Sequence, residues 1–332
     1  MASSRPELVL MIGLPASGKS TAAKAWVAED PDGRIRVNWD ELRLARYGPD
    51  WIFNRKDEDA MKAAARETVI AALKAGYSVV VDNTNLSRHV RASWRQLATD
   101  LGADYAEEDI STNREECIRR DRLRPVGQRV GQAVIDQMAL QHGYLTFDDS
   151  AKPIVIIDID GTVANCEKRM HHLKPDPSRE CTGCGKKFNI GPDACPCDQN
   201  TIPIRRIPKN WPAFFAEVDN DEPIWNMIWL LEAFKDAEII FISGRPISSG
   251  QTKVGILTED WLLRHGIDFS YLFLKQFGQE GAPAVEFKKE IIDHLPKERI
   301  RYIFDDHSAC IEMYRRECPD ALVCQVGSSN FS

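Results

Sequence analysis

Two continuous apolar runs, each followed by a loop that contains glycine, mark the start of each half of the sequence. Residues 8–12 lead into the loop at 13–20, and residues 153–157 lead into the loop at 158–162. Apolar runs of this length, without alternation, are typical of strands that are buried on both faces of a parallel sheet. The pattern therefore predicts two domains, each built around a parallel sheet.

The segments between these runs indicate an α/β architecture. A helix is predicted over residues 59–75 and a further strand over residues 78–81, and the polar stretch 147–152 precedes the second apolar run. We predict two three-layer α/β domains, at residues 1–150 and 151–332, with the chemistry of each at the carboxyl ends of its strands.

The composition narrows the class of protein. A length of 332 residues fits two domains, and 43% hydrophobic with 28% charged residues is typical of a globular chain. No apolar run approaches the roughly 18 residues that span a bilayer, so we expect a cytoplasmic protein without membrane association. The net charge of −7 excludes a global cationic field, although a local basic channel is enough to hold one end of a nucleic acid.

The loop at residues 13–20 has the spacing of a Walker A phosphate-binding loop. Its glycines allow backbone N–H groups to turn toward the phosphates of a nucleotide. Lys19 is placed to contact the β- and γ-phosphates, and the Ser20 hydroxyl is placed to bind Mg²⁺. The residues predicted to contact ATP in this loop are Gly13, Ser17, Gly18, Lys19, Ser20 and Thr21.

Two groups further along the first half suit phosphoryl transfer. Asp40 and Arg43 follow a predicted strand at 34–38, where a carboxylate can take a proton from an acceptor hydroxyl and an arginine can bind a phosphate. The alternative is that Asp40 is an ordinary helix N-cap. Asp82 ends the strand at 78–81 and is a candidate for a Walker B-like role.

Arg120 and Arg124 are four residues apart, so they share one face of a predicted helix and can close over the nucleotide as a lid. The alternative is a solvated basic helix face. The phosphate-binding loop upstream in the sequence favours the interpretation of these arginines as a lid.

The loop at residues 158–162 carries two aspartates, Asp158 and Asp160, that can converge on Mg²⁺ where the chain turns. In such a pair one carboxylate attacks phosphorus and the other donates and recovers a proton. Three further candidate groups follow along the second half. They are Ser243, Gly244 and Arg245, then Lys288, then Asp305 and Asp306. Four clustered aspartates carry too much negative charge to lie together without a cation.

These motifs resemble two known families. The second half resembles the haloacid-dehalogenase phosphatases, and the first resembles the P-loop kinases, more narrowly the kinase module of the bacteriophage-type polynucleotide kinase–phosphatases. The order of kinase before phosphatase is also that of this family, and the resemblance spans nearly the whole chain. Asn83 stands where the family has an aspartate, and His307 and Val285 also depart from its pattern.

The resemblance implies a role for each candidate residue. Asp40 would be the general base on a 5′-hydroxyl, Arg43 would place the acceptor phosphate, and Arg120 and Arg124 would contact the donor phosphates, with Arg124 also catalytic. In the second half, Asp158 would be the nucleophile, Asp160 the acid and base, and Lys288 the neutralising cation. Substrate phosphate would be bound by Arg169, Ser243, Gly244 and Arg245, and Mg²⁺ by Asp158, Asp160, Asp305 and Asp306.

The activity expected from this resemblance is nucleic-acid end healing, in which ATP phosphorylates 5′-hydroxyl ends and 3′-phosphates are removed from DNA or RNA. The alternative is a small-molecule kinase fused to a small-molecule phosphatase, acting on a nucleoside or a sugar. A binding protein with inactive sites is disfavoured because both sites retain their reactive groups. A homo-oligomeric assembly stays open.

Four of the nine cysteines cluster in a CxxC…CxC pattern within a predicted insertion at about 170–210. Cys181, Cys184, Cys195 and Cys197 have the spacing of a tetrahedral structural zinc site, a zinc knuckle. The alternative is a set of reduced cysteines without metal, and His171 and His172 are weaker candidate ligands.

Several aromatic residues invite the hypothesis of base stacking. The spacings of Trp211, Phe214, Phe215, Trp225 and Trp229 favour buried helix faces instead. Trp39, which lies beside Asp40, is the better candidate for stacking.

Overall fold

The computed structural model describes residues 5–48, 55–145, 147, 152–173 and 209–327, together with the backbone of 178–180 and 187–189. The chain divides into two compact units, and the main division falls between residues 151 and 152. None of the helices in the described ranges is long and apolar enough to cross a membrane.

The first unit is built on a four-stranded sheet in the order β2–β3–β1–β4. Its strands are β1 (Glu7–Ile12), β2 (Arg34–Val37), β3 (Ser78–Asp82) and β4 (Asp104–Asp109). All three pairings are parallel, with Leu8 opposite both Val79 and Tyr105. The strands therefore end at the same edge, which is where the Walker A loop begins.

Six helices surround this sheet, namely α1 (Lys19–Ala28), α2 (Trp39–Tyr47), α3 (Arg55–Lys74), α4 (Arg88–Leu101), α5 (Arg114–Arg122) and α6 (Gln132–His142). On one face, Leu8 and Leu10 pack with side chains of α3 and α4 such as Val69 and Trp94. On the other face, Val9 and Met11 pack against α1. Both faces of β1 are thus buried, as its continuous apolar sequence predicts.

The second unit is built on a five-stranded sheet in the order β11–β10–β5–β12–β13. These strands are β5 (Ile154–Ile157), β10 (Glu238–Pro246), β11 (Tyr271–Lys275), β12 (Ile300–Asp305) and β13 (Leu322–Gln325). Both neighbours of β5 run parallel to it. The central strand β5 is completely buried, which explains its run of isoleucine and valine.

Smaller elements complete the second unit. Two antiparallel pairs join β6 (Ala164–Asn165) to β9 (Glu222–Pro223) and β7 (Ser178–Glu180) to β8 (Lys187–Asn189). The helices are α7 (Trp211–Ala216), α8 (Trp225–Leu231), α9 (Val254–Arg264), α10 (Ala284–Ile292) and α11 (Ser308–Glu317). The mixed α/β class with parallel sheets is confirmed. The four cysteines predicted to bind zinc lie outside the described residues.

The predicted burial of the aromatic groups is wrong for three of five residues. Phe214 is buried and Phe215 is partly buried, but Trp211, Trp225 and Trp229 are exposed. Helix α8 is apolar on both faces, because Met227, Ile228 and Leu231 are buried on the face opposite its tryptophans. An apolar residue at helical spacing therefore does not say which face is turned inward.

Candidate active sites

The Walker A loop follows β1 and wraps around the ammonium group of Lys19. Lys19 Nζ donates to the backbone oxygens of Gly13 at 3.0 Å and Leu14 at 2.6 Å, and to Ser17 Oγ at 3.3 Å. Gly18 precedes α1 with a φ of 111°, a left-handed conformation that favours glycine. Ser20 and Thr21 follow in the first turn of α1 and are exposed. The loop thus holds the ammonium group of Lys19 through three of its own oxygen atoms.

The ammonium group of Lys19 is buried, and this changes its titration. Burial lowers the pKa of Lys19 to about 8, although the negative charge of Asp82 acts in the opposite direction. A phosphate beside Lys19 would restore the lost stabilisation of its charged form. The loop therefore holds a cation that gains from the arrival of an anion.

Arg120 lies directly over the Walker A loop. Its Nη1 donates to the backbone oxygen of Ser17 at 3.0 Å, and its Nε donates to Glu116 at 2.7 Å. Arg124 is not on the same helix face, because α5 ends at Arg122. Pro125 disfavours the helical conformation in the residue before it, so the chain leaves the helix at this point.

The guanidinium group of Arg124 lies 3.3 Å from Asp121, and its charge contributes to the lowered pKa of Lys19. Arg120 therefore contacts the loop directly, whereas Arg124 follows the end of α5 and acts on Lys19 through its charge.

Helix α2 begins directly after β2 and is capped by Asn38. The side-chain oxygen of Asn38 accepts from the backbone N–H of Glu41 at 2.9 Å, and the side-chain amide of Asn38 donates to the backbone oxygen of Asp82 at 2.6 Å. The alternative interpretation of Asp40 as the N-cap is therefore wrong. Asp82 is buried and paired with Arg36 at 2.7 Å, a partner that the sequence pattern did not predict.

Asp40 and Arg43 meet on the first turns of α2. The Asp40 carboxylate is 85% exposed and accepts a hydrogen bond from Arg43 Nη1. The other side of the guanidinium group contacts Glu58 on α3, with 3.0 Å between Nη2 and Oε2. Glu58 is buried, and sequence reasoning missed it because a glutamate near the start of a helix gives no distinctive signal.

In the second unit, Lys288 on α10 bridges the ends of β5 and β12. Its Nζ donates to Asp158 Oδ1 at 2.7 Å and to Asp305 Oδ2 at 2.6 Å, and all three side chains are buried. The two carboxylates hold the pKa of Lys288 well above its ordinary value despite its burial. The predicted nucleophile and the predicted neutralising cation are thus in direct contact.

The carboxylates of Asp158, Asp305 and Asp306 form a buried group whose ligand atoms lie within 4.8 Å of one another. Burial raises the pKa of Asp158 to about 8; Lys288 lowers it, and the charges of Asp305 and Asp306 raise it further. Three buried carboxylates face one lysine, so a divalent cation with oxygen ligands fits this group. Gly161 has a φ of 80°, and a Cβ there would collide with the Asp306 carboxylate.

These geometries can be compared with known proteins. Residues 8–143 match the family model of the AAA domain, and residues 206–331 match that of the polynucleotide kinase PNKP phosphatase domain. Each half of the chain therefore matches a different domain family, the first the AAA domain and the second the PNKP phosphatase domain.

Individual relatives match part of the chain. A stretch of 99 residues, 30% of this chain, is 33% identical to the bifunctional polynucleotide phosphatase/kinase of Schizosaccharomyces pombe and covers 20% of it. The chain spans a fifth to a quarter of the length of the curated relatives it matches.

Two solved structures are also similar. One chain of the Pnkp1/Rnl/Hen1 RNA repair complex has 22% identity and a TM-score of 0.37, with 98% of this chain and 97% of that chain covered. The APS kinase CysC of Mycobacterium tuberculosis has 24% identity and a TM-score of 0.31, with 43% and 77% covered.

The Asp160 carboxylate is held by two arginines and is not part of the group formed by Asp158, Asp305 and Asp306. It accepts hydrogen bonds from Arg169 and Arg245, with 3.1 Å from Arg245 Nε to both carboxylate oxygens. Burial raises the pKa of Asp160, but Arg245 and Arg169 outweigh this effect and bring it to about 2. The Asp160 side chain, predicted as a metal ligand, pairs with the two guanidinium groups and is not among the three carboxylates that lie within 4.8 Å of one another.

Asp221 completes this cluster, and sequence reasoning missed it. Arg169 Nε lies 2.7 Å from Asp221 Oδ1, and Arg245 Nη2 lies 2.8 Å from Asp221 Oδ2. Both arginines are buried, so two cations and two anions balance inside the phosphatase domain. Asp221 lies in a stretch without a recognisable motif, and only the fold brings it to Arg169.

The remaining predicted phosphate ligands lie on β10, which continues through them to Pro246. Ser243 is buried, and its Oγ accepts from the backbone N–H of Arg245 at 3.3 Å. Gly244 is packed closely, since a Cβ there would stand 3.4 Å from that of Ala284. Of the two weaker zinc candidates, His172 lies 3.0 Å from Glu217, and its ring is 3.8 Å from that of His171.

Proposed function

We propose that this chain is a bifunctional nucleic-acid end-healing enzyme. It transfers the γ-phosphate of ATP to 5′-hydroxyl ends and removes phosphate from 3′ ends. The observation that carries the proposal is the match of residues 206–331 to a polynucleotide kinase phosphatase domain, on a chain whose first unit contains a Walker A loop closed around Lys19. A fused pair of small-molecule enzymes is not favoured by these relatives.

In the kinase reaction, the Walker A loop and the two lid arginines hold the donor. Lys19, Arg120 and Arg124 contact the ATP phosphates, and the exposed Ser20 hydroxyl is a ligand for the Mg²⁺ of the nucleotide. Asp40 takes the proton of the 5′-hydroxyl as this oxygen attacks the γ-phosphorus. Arg43 binds the neighbouring phosphate of the acceptor, with its orientation fixed by Glu58.

In the phosphatase reaction, Asp158 attacks the phosphorus of the 3′-phosphate and forms an aspartyl-phosphate while the bond to the 3′-oxygen breaks. Lys288, together with Ser243, offsets the negative charge that develops. Asp158, Asp305 and Asp306 would hold Mg²⁺, which would supply positive charge to offset these carboxylates and the phosphoryl group. Water then cleaves the aspartyl-phosphate and releases inorganic phosphate.

Asp160 acts as the acid and then the base in this sequence, whereas, against the effect of burial, its two arginine partners favour the ionised carboxylate by lowering its pKa to about 2. A substrate phosphate offers Arg169 and Arg245 a second anion and weakens their hold on Asp160. The pKa of Asp160 then rises, so the carboxylate takes up a proton from solvent and donates it to the leaving 3′-oxygen. This step links substrate binding to proton transfer through two named arginines.

The four clustered cysteines, Cys181, Cys184, Cys195 and Cys197, are proposed to bind a structural zinc ion. Their number and spacing support a closed site without catalytic function. Atomic absorption of the purified protein would give about one zinc per chain, and serine at these positions would remove it. A preparation that folds and contains no zinc would contradict this assignment.

Competition on the phosphatase site tests the proposed substrate class. Hydrolysis of an aryl phosphate is measured while an oligonucleotide with a 3′-phosphate is added, with the same oligonucleotide ending in a 3′-hydroxyl as control. The phosphorylated end should inhibit strongly and competitively. A protein that hydrolyses the aryl phosphate and ignores oligonucleotide ends would instead favour the small-molecule alternative.

A further inference from the structure

Helix α8 exposes two tryptophans side by side on the surface of the second unit. Trp225 is 48% exposed and Trp229 is 61% exposed, and their ring centroids lie 6.3 Å apart with an angle of 29° between the planes. We call this pair the tryptophan platform. Large aromatic side chains are normally buried, so an exposed, nearly parallel pair points to a ligand with flat apolar faces.

The tryptophan platform is connected to the phosphatase site through a short series of contacts. The ring of Trp225 lies 6.3 Å from that of His265, and His265 lies 4.4 Å from the buried ring of Trp261. The indole N–H of Trp261 donates to the backbone oxygen of Asp221 at 2.9 Å. Asp221 in turn binds the two arginines that hold Asp160. The platform is therefore linked to the Asp221 cluster through two aromatic contacts and one hydrogen bond.

The chain path gives a second connection. Strand β9 lies between Asp221 and α8, and it pairs with β6, which follows the loop that carries Asp158 and Asp160. Immediately before α8, the backbone N–H of Ile224 donates to the oxygen of Val163 at 2.8 Å. The backbone that supports the platform is thus hydrogen-bonded to the segment that follows the catalytic loop.

The area of the platform limits what it can bind. Two tryptophans exposed to this degree, with the neighbouring Leu230, present on the order of 300 Å². A stable protein interface buries about 800 Å² on each partner, so the platform is too small for a second copy of this chain. One or two nucleobases match both its area and its flat aromatic chemistry.

Two cations of the described part of the second unit are already paired with carboxylates. Lys168 is paired with Glu222 at 2.6 Å, and Arg264 is paired with Asp219 at 2.8 Å. The binding interaction that the platform itself offers is stacking on its two rings. Such stacking tolerates any sequence because every base has a π-face.

We propose that Trp225 and Trp229 are a stacking subsite for the unpaired bases next to the 3′-phosphate end of a polynucleotide. This inference rests on the proposed end-healing function. The subsite adds affinity for single strands of several nucleotides and adds none for a mononucleotide or an aryl phosphate. The phosphatase site acts on the terminal phosphate, while the platform holds the strand behind it.

Phosphatase kinetics on a series of substrates tests the subsite. The series runs from an aryl phosphate and a 3′-mononucleotide to single-stranded octanucleotides with a 3′-phosphate. Trp229→Ala should raise KM about tenfold for the octanucleotide and leave the two short substrates unchanged, since loss of one stacked base costs an amount of this order. Trp229→Phe should restore most of the affinity, because it retains an aromatic face.

Leu230→Ala is the matched control, since it removes exposed apolar area from the same helix without removing a ring. An equal rise in KM for Leu230→Ala and Trp229→Ala would overturn the stacking subsite, as would unchanged octanucleotide kinetics in Trp229→Ala. A wild-type dimer in sedimentation that Trp229→Ala dissociates, with kinetics unchanged, would assign the platform to self-association. If the wild-type protein cleaves the aryl phosphate and no oligonucleotide, the proposed function itself fails, which is a distinguishable result.

Discussion

At the residue scale, both sites depend on charged side chains that are buried before any ligand arrives. Lys19 gives up hydration and is held by the oxygens of its own loop, and Lys288 lies between two aspartates. Buried charges of this kind are costly unless they are paired, so their partners are part of the site. In the first unit, the buried charge makes ATP binding depend on pH. In the second unit, the pairing of buried charges contributes to the free energy of unfolding.

The lowered pKa of Lys19 predicts how ATP binding depends on pH. The free lysine titrates near pH 8, and bound phosphates raise its pKa because they favour the charged form. The titration of Lys19 should therefore leave the affinity for ATP constant below about pH 8. Above that pH the affinity for ATP should fall, by up to about tenfold per pH unit. Calorimetric titration with ATP from neutral to alkaline pH measures this change.

Lys19→Arg is the control for this titration, since a guanidinium group stays charged throughout. Its ATP affinity, although altered by geometry, should not fall over the same pH range. A wild-type affinity that is flat across this range would contradict the shifted titration of Lys19.

Asp221 predicts a large effect on stability at a position without a recognisable motif. Asp221→Ala leaves Arg169 and Arg245 buried with Asp160 as their remaining carboxylate within this cluster. Leaving a buried charge uncompensated costs about 3–5 kcal/mol of unfolding free energy. Chemical denaturation of the variant measures the loss.

Asp219→Ala provides the comparison, because its ion pair with Arg264 is partly exposed and should contribute less than about 1 kcal/mol. Equal effects of Asp219→Ala and Asp221→Ala would mean that the buried cluster is not balanced as described.

At the scale of elements, the ends of parallel strands gather most of the functional residues. The strands β1, β3 and β5 were predictable because continuous apolar runs indicate burial on both faces. The motifs that follow them were predictable because parallel strands share one carboxyl edge. Local sequence was sufficient to predict a functional residue wherever that residue directly follows a predictable strand.

Contacts between elements were not predictable in the same way. Glu58 reaches Arg43 from another helix, and Asp221 reaches Arg169 across 52 residues, so neither pair leaves a local pattern. The prediction that Trp225 and Trp229 are buried is wrong because α8 has apolar side chains on both faces, and spacing alone does not identify the inner face. Arg124 was placed on a helix that ends two residues earlier.

The cap of α2 offers a test at this scale. Asn38→Ala removes the hydrogen bond to Glu41 and the tie to the end of β3, and should cost about 1 kcal/mol of unfolding free energy. Because α2 carries Asp40 and Arg43, the rate of 5′-phosphorylation should also fall. Denaturation and kinase assays measure the two effects.

Asn210→Ala is the matched variant, since Asn210 caps α7 in the other unit. It should lower stability by a similar amount and leave phosphorylation unchanged. An equal fall of the kinase rate in both variants would show that the loss of activity does not come from a displacement of α2.

At the scale of the whole molecule, the two proposed reactions use separate sets of residues on separate sheets. Lys19→Ala should abolish phosphate transfer from ATP and leave phosphatase activity, while Asp158→Asn should do the reverse. Assays of each folded variant on both reactions measure this independence. Loss of both activities in either folded variant would show that the sites depend on one another.

The central claim is that one chain repairs both ends of a nucleic acid. It is tested most directly with a single oligonucleotide that carries a 5′-hydroxyl and a 3′-phosphate, incubated with Mg²⁺ in the presence and absence of ATP. Mass spectrometry of its fragments locates each phosphate. We predict loss of the 3′-phosphate under both conditions and gain of a 5′-phosphate with ATP alone. An oligonucleotide unchanged at both ends, from protein that still hydrolyses an aryl phosphate, would contradict the claim.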